Sequence, residues 1–160
     1  MKKIIFLLFI SIVASFSAHA QAFNLKELLS LKDHDITFFH NYVKEKGYTY
    51  EKSKYDAKKE NYAYVFLENI ADDLHEIKYA ATSKGATITF GTTDVNDYEQ
   101  LKKELELLQF KFVKFVPKQE HGRSVLMIVY TDGNTKVHLY NSYIEDKSHE
   151  FVRYYRIKVL

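Results

Sequence analysis

Period-two alternation recurs along this chain, and each set of alternating runs follows a run of helical period. "YTYEKSK" from Tyr48 and "FKFVKFV" from Phe110 alternate most clearly. "YAYVFLEN", "EIKYAATS", "TITFGT", "SVLMIVYT", "TKVHLYNSYI" and "EFVRYYRIKVL" are rich in the β-branched and aromatic residues that suit strands. A strand places successive side chains on opposite faces, so such runs belong in a sheet with one covered side. Three segments have the other period. "LKELLSL" can be capped by Asn24 and groups Leu25, Leu28 and Leu29 on one face. "ITFFHNYVKEK", capped by Asp33 or Asp35, groups Ile36, Phe39 and Val43, with Gly47 at the position after the helix where positive φ is needed. "VNDYEQLKKELELLQ", capped by Thr93 or Asp94, groups Tyr98, Leu101, Leu105 and Leu108. The order is helices, strands, helix, strands. It predicts an α+β fold with helices on one face of an antiparallel sheet.

The punctuation supports that division. Tyr55 to Glu60 reads as a hairpin loop, residues 70–75 as a short connection with one helical turn, and Lys84-Gly85 and Asp132-Gly133 as tight turns. Pro117 is expected to end its strand, because it cannot donate within a sheet interior. A shift of 62 residues lays Ile36, Phe39 and Val43 on Tyr98, Leu101 and Leu105. Without a gap, the same shift lays Tyr48 and Tyr50 on Phe110 and Phe112, and Val65 and Leu67 on Met127 and Val129. Sequence identity between the halves is near nil. The spacing still suggests one helix-plus-hairpins unit used twice, over residues 34–92 and 96–160.

At the level of architecture, such a tandem resembles the β-lactamase inhibitory protein-like fold, in which two helix-plus-antiparallel-sheet repeats make one curved sheet. The resemblance covers nearly all of the chain after residue 20 and carries no specific motif. It implies a binding surface on the sheet and no catalysis. The disulfides of that family have no counterpart here, because the chain contains no cysteine.

Residues 1–20 read as a secretory signal peptide. Lys2 and Lys3 precede an apolar run from Ile4 to Phe16, and Ala18-His19-Ala20 supplies the small residues that signal peptidase requires. The run falls well short of the roughly 20 residues that span a bilayer. The expected mature chain, residues 21–160, is one domain, exported to the periplasm or the cell exterior, with no stable membrane insertion after cleavage. Loss of Lys2 and Lys3 reduces 23 basic residues to 21, against 21 acidic. That balance argues against a nucleic-acid partner, which needs a concentrated positive surface. Without disulfides, the core alone must hold an exported fold.

No residue pattern assembles a catalytic or metal site. In Asp33-His34-Asp35, neighbours on a helix would point about 100° apart, so they read as capping residues. Ser148-His149-Glu150 cannot form a triad from adjacent positions. Asp72-Asp73 reads as a connection and Asp97-Glu99 as a favourable first helical turn. There is no glycine-rich phosphate loop, so no nucleotide cofactor or other cofactor is expected, and no metal.

The informative excess is aromatic: 13 Tyr and 12 Phe. "YAYVFLE" and "SVLMIVY" are apolar on both faces, which fits either a doubly buried strand, a homodimer contact or an exposed patch. The candidate binding residues are Tyr62, Tyr64, Tyr130, Tyr140 and Tyr154, expected together on the sheet face away from the helices. The expected function is non-catalytic binding of a protein or peptide. The alternative is a small envelope hydrolase whose site is assembled from dispersed His, Asp and Tyr. The leader gives the first test. N-terminal sequencing of exported protein should begin at Gln21, whereas Met1 retained in a membrane fraction would contradict export.

Overall fold

The computed structural model describes residues 22–56, 61–70, 73–82, 85–120, 123–145 and 149–160. The proposed leader, residues 1–20, and with it the cleavage site, lies outside the described residues.

Among the described residues, three helices pack on one face of a single eight-stranded antiparallel open sheet. The chain order is α1 (Leu25–Lys32), α2 (Ile36–Glu45), β1 (Thr49–Asp56), β2 (Asn61–Ile70), β3 (Asp73–Thr82) and β4 (Gly85–Thr92), then α3 (Val95–Leu107), β5 (Lys111–Glu120), β6 (Arg123–Thr131), β7 (Lys136–Glu145) and β8 (Phe151–Val159). The strands lie in the order β1-β2-β3-β4-β8-β7-β6-β5, so two four-stranded meanders meet along β4 and β8.

The helix starts follow from their caps. Asn24 and Glu27 form a reciprocal capping box on α1, with both hydrogen bonds at 2.9 Å. Asp35, not Asp33, caps α2 by accepting from the Phe38 amide at 2.8 Å. Asp94 caps α3 through the Asn96 amide. Phe39, Val43, Leu101 and Leu105 are all buried beneath their helices. On α1 the buried residues are Leu25, Leu28 and Leu31, and Leu29 packs at their edge.

α2 and α3 end in the same way. After α2, Gly47 has φ +95°, its N–H donates to the Lys44 carbonyl, and that of Tyr48 donates to the Val43 carbonyl. After α3, Gln109 has φ +61°, its N–H donates to Glu106, and that of Phe110 donates to Leu105. Both are Schellman closures, which turn the chain straight into the following edge strand. Tyr48 and Phe110 are each buried at the turn.

Register corrects several sequence-based expectations. Residues 73–75 form no helical turn, because β3 already pairs with β2 from Asp73 onward. β5 does not stop at Pro117 but continues to Glu120, since an edge strand has one side on which a missing N–H costs nothing. β1 is bulged between Tyr50 and Lys52, and β5 between Phe112 and Lys114, which preserves the 62-residue shift. The ungapped shift then fails. Tyr50 faces Phe66 and Phe112 faces Tyr130, a spacing of 64, so the second hairpin is two residues longer.

Gln109 occupies a backbone conformation that costs a non-glycine residue about 1–2 kcal/mol. Allowing for the chain entropy of glycine, Gln109→Gly should stabilise the fold by roughly 0.5–1 kcal/mol in urea unfolding. A loss of stability would mean that the Gln109 side chain contributes something the turn does not explain.

Candidate binding face

The five candidate tyrosines do not form the expected surface. Cross-strand pairing puts Tyr62 and Tyr64 opposite Ala81 and Tyr79, and Tyr130 opposite Val137, all on the helix side. Tyr64 and Tyr130 are half-buried there against the core, and Tyr62 is exposed. Tyr140 and Tyr154 do face away from the helices, but each is only 7% exposed. Period two gives a strand's parity without saying which parity faces the helices, and the bulges at Tyr50/Lys52 and Phe112/Lys114 reset it between neighbours.

The helix-free face is nevertheless built up. Val125, Met127, Val129 and Tyr140 form a small second core on it with Val116 packed alongside, although no described helix covers them. The sheet curls toward this side. Arg156 on β8 forms an ion pair with Glu120 on β5, across the full width of β7 and β6. Three strand spacings are about 14 Å, so the two side chains meet only because the outer strands bend inward. Between them lies the Tyr140 ring, with the Arg156 guanidinium carbon 4.8 Å from its centroid and the Lys118 ammonium at 5.7 Å. Both are cation–π distances.

Tyr154 ties the two meanders together. Its ring crosses β4 above Gly91, and its hydroxyl donates to Glu76 Oε1 on β3 at 3.3 Å. A Cβ at position 91 would come within 1.9 Å of that hydroxyl oxygen, so only glycine leaves room. Burial, then the Glu76 carboxylate, pushes the phenol far above its usual range. Beside this contact a half-open cleft of about 560 Å³ runs along the strand ends. Glu76, Glu120, Glu145 and Arg156 line it with Val125 and Ile144.

A continuous row crosses the middle of the curled face. Paired residue by residue, it reads Lys52, Val65, Lys78, Thr89, Lys158, His138, Val129, Lys114, from one sheet edge to the other. Sequence reasoning missed it. Each lysine is an ordinary polar position in an alternating run, and the row exists only once seven registers are known. The field of these ammonium groups is felt at His138. Burial first, then Lys158, Lys118, Lys136 and Lys114, lowers its pKa to about 4.

One His–carboxylate pair also went unforeseen. His75 Nε2 donates to Asp97 Oδ2 at 2.7 Å, joining β3 to the first turn of α3, and the Thr92 hydroxyl reaches the same oxygen at 3.3 Å. His75 is 4% exposed and stacks on Phe90, so the pair clips helix to sheet beneath the surface. His149 pairs with Glu145 at 2.5 Å, but with both side chains exposed. Asp35 caps a helix as expected, and His34 stacks on Phe38. Asp72 and Ser148 lie outside the described residues. Among the described residues, no three His, Asp or Glu side chains are grouped to hold a metal.

Comparison with protein-family models, curated proteins and solved structures finds no match to this chain.

Folded His138 stays neutral down to about pH 4, whereas an unfolded histidine takes up its proton near 6.5. Its contribution to stability is therefore complete above pH 6.5 and is lost as pH falls toward 4. His138→Gln should unfold with a urea midpoint that declines less than the wild type's across that window. Parallel declines would contradict the depressed pKa.

Proposed function

We propose that the chain is an exported, non-catalytic binding protein that takes a protein or peptide on the curled, helix-free face of its sheet. The observation that carries this reading is the curl itself. An open sheet has been bent into a trough, held by Glu120–Arg156 and by Tyr154 over Gly91, and no described helix occupies it. The resemblance to the β-lactamase inhibitory protein-like architecture belongs to the same proposal. Two units, each a helix, a Schellman closure, a bulged edge strand and a meander, support it through their matching strand order.

The hydrolase alternative gains nothing from either described His–carboxylate pair. His75–Asp97 is sealed under α3, and the His149–Glu145 pair stands in solvent, with the His149 side chain 86% exposed. A homodimer has a different candidate surface. Phe112, Phe115 and Leu126 are exposed on the helix side of the β5–β6 hairpin, with the two phenylalanine rings 4.8 Å apart.

Hydrogen exchange tests the proposal. The chain from Gln21 onward, loaded with what it captures from envelope extract of its own source, should gain protection in β3, β4, β7 and β8. A Thr89→Trp variant, which fills the centre of the trough, should capture less. Protection confined to α1–α3 or to the β5–β6 hairpin would overturn the assignment of this face.

A further inference from the structure

The two sides of the β5–β6 hairpin differ in chemistry. Lys114 and Lys118 pair opposite Val129 and Val125, which face away from the helices. Phe112, Phe115 and Pro117 pair opposite Tyr130, Ile128 and Leu126, on the helix side. No described side chain of either strand on that side is charged. α3 packs over β8 and β4, and Phe112, Phe115 and Leu126 are left 50%, 58% and 47% exposed. On β7, Tyr143 lies two residues beyond Asn141, the partner of Leu126, and is 51% exposed on the same side. The Phe112 and Phe115 rings are 4.8 Å apart, and Ile128 and Tyr130 are half-buried beside them. Together they form an apolar ledge along the helices.

We infer that a second copy of this chain covers the ledge in a two-fold dimer. The area fits. At about 200 Å² for a side chain of this size, half exposure leaves roughly 100 Å² on each of the four, or about 400 Å² per copy. A standard interface takes about 800 Å² from each partner, somewhat over half of it apolar. Phe112, Phe115, Leu126 and Tyr143 supply most of that apolar share. The charges fit as well. A two-fold contact sets a patch against its own copy, so a surplus of one sign would repel itself. Here β5 and β6 contribute no described charge, and the β7–β8 end carries Arg153 and Glu145, one of each sign. The open edge of β5 is interrupted by the bulge at Phe112/Lys114 and by Pro117, devices that discourage addition of a further strand. The contact is therefore made through the face of the hairpin and not by a peptide lengthening the sheet. It lies on the helix side, so the helix-free faces of both copies stay open.

Sedimentation equilibrium of the chain from Gln21 onward tests this. Its mass should rise from one copy to two with concentration and stop there. Phe115→Glu, which sets two carboxylates against each other across the two-fold, should weaken the dimer at least tenfold. Circular dichroism checks that this variant is folded, and Phe115→Ser replaces it if it is not. Lys114→Gln, on the same strand but the opposite face, should change dimerisation less than twofold. Amide exchange in β5 and β6 should slow as concentration rises, with no other protein present. A single copy at concentrations up to about 100 μM, where even a weak standard interface would assemble, would overturn the inference. So would a dimer that tolerates Phe115→Glu, or Phe115-dependent binding to phosphatidylcholine vesicles by a chain that stays monomeric. The dimer exists before and after capture of a partner on the trough, so it adds nothing to the protection gained in β3, β4, β7 and β8. Either reading can fail while the other stands.

Discussion

The contact on which the rest of this structure depends is the ring of Tyr154 lying across Gly91. β4 and β8 join the two meanders through five paired residues, the shortest ladder among the described strands. A seam that short needs side-chain support on both faces. On the helix side it receives α1 and α3, which pack over both strands. On the other side no described helix lies over it, and Tyr154 supplies the cover by reaching over β4 to Glu76. The ring fits only because position 91 has no side chain. Once the seam is held, the outer strands can curl inward far enough for Arg156 and Glu120 to meet.

The curl has an energetic logic that explains the second small core. A flat open sheet would leave Val125, Met127 and Val129 in water, at a cost of about 25 cal/mol for each Å² of apolar surface. Bending the β5–β6 hairpin toward β8 buries these residues against Tyr140 instead, while Lys114 and Lys118 at the rim keep their ammonium groups in solvent. The same bend brings lysines from four strands around one trough and keeps His138 neutral at their centre. Curvature, satellite core and positive field are consequences of one geometry.

Much of this fold was legible in the sequence, because its local signals agree with one another. Asn24, Asp35 and Asp94 sit where caps belong, Gly47 marks a helix end, and the apolar faces of all three helices follow their period. The errors came where the answer depends on neighbours. Pro117 ends a strand in a sheet interior but not at an edge, and nothing near it in sequence says that β5 is an edge. Asp73 suits a turn, yet tertiary pairing draws residues 73–75 into β3. The candidate site was the least legible part. Its tyrosines were chosen by residue type, whereas face and burial were decided by the pairing of β2, β6, β7 and β8 with their neighbours and by the crossing of Tyr154 over β4. Gly91, Glu76 and the lysine row carry no local signature at all.

Gly91→Ala tests the seam most directly. Replacing glycine by alanine at an unobstructed position stabilises a chain by about 0.4–1 kcal/mol, through the entropy of the unfolded state. Here the new methyl group would meet the Tyr154 hydroxyl, so denaturant unfolding should instead show a loss of about 1–3 kcal/mol, with faster amide exchange along β4 and β8. Unchanged or increased stability, with the β4 and β8 amides still protected, would contradict the account.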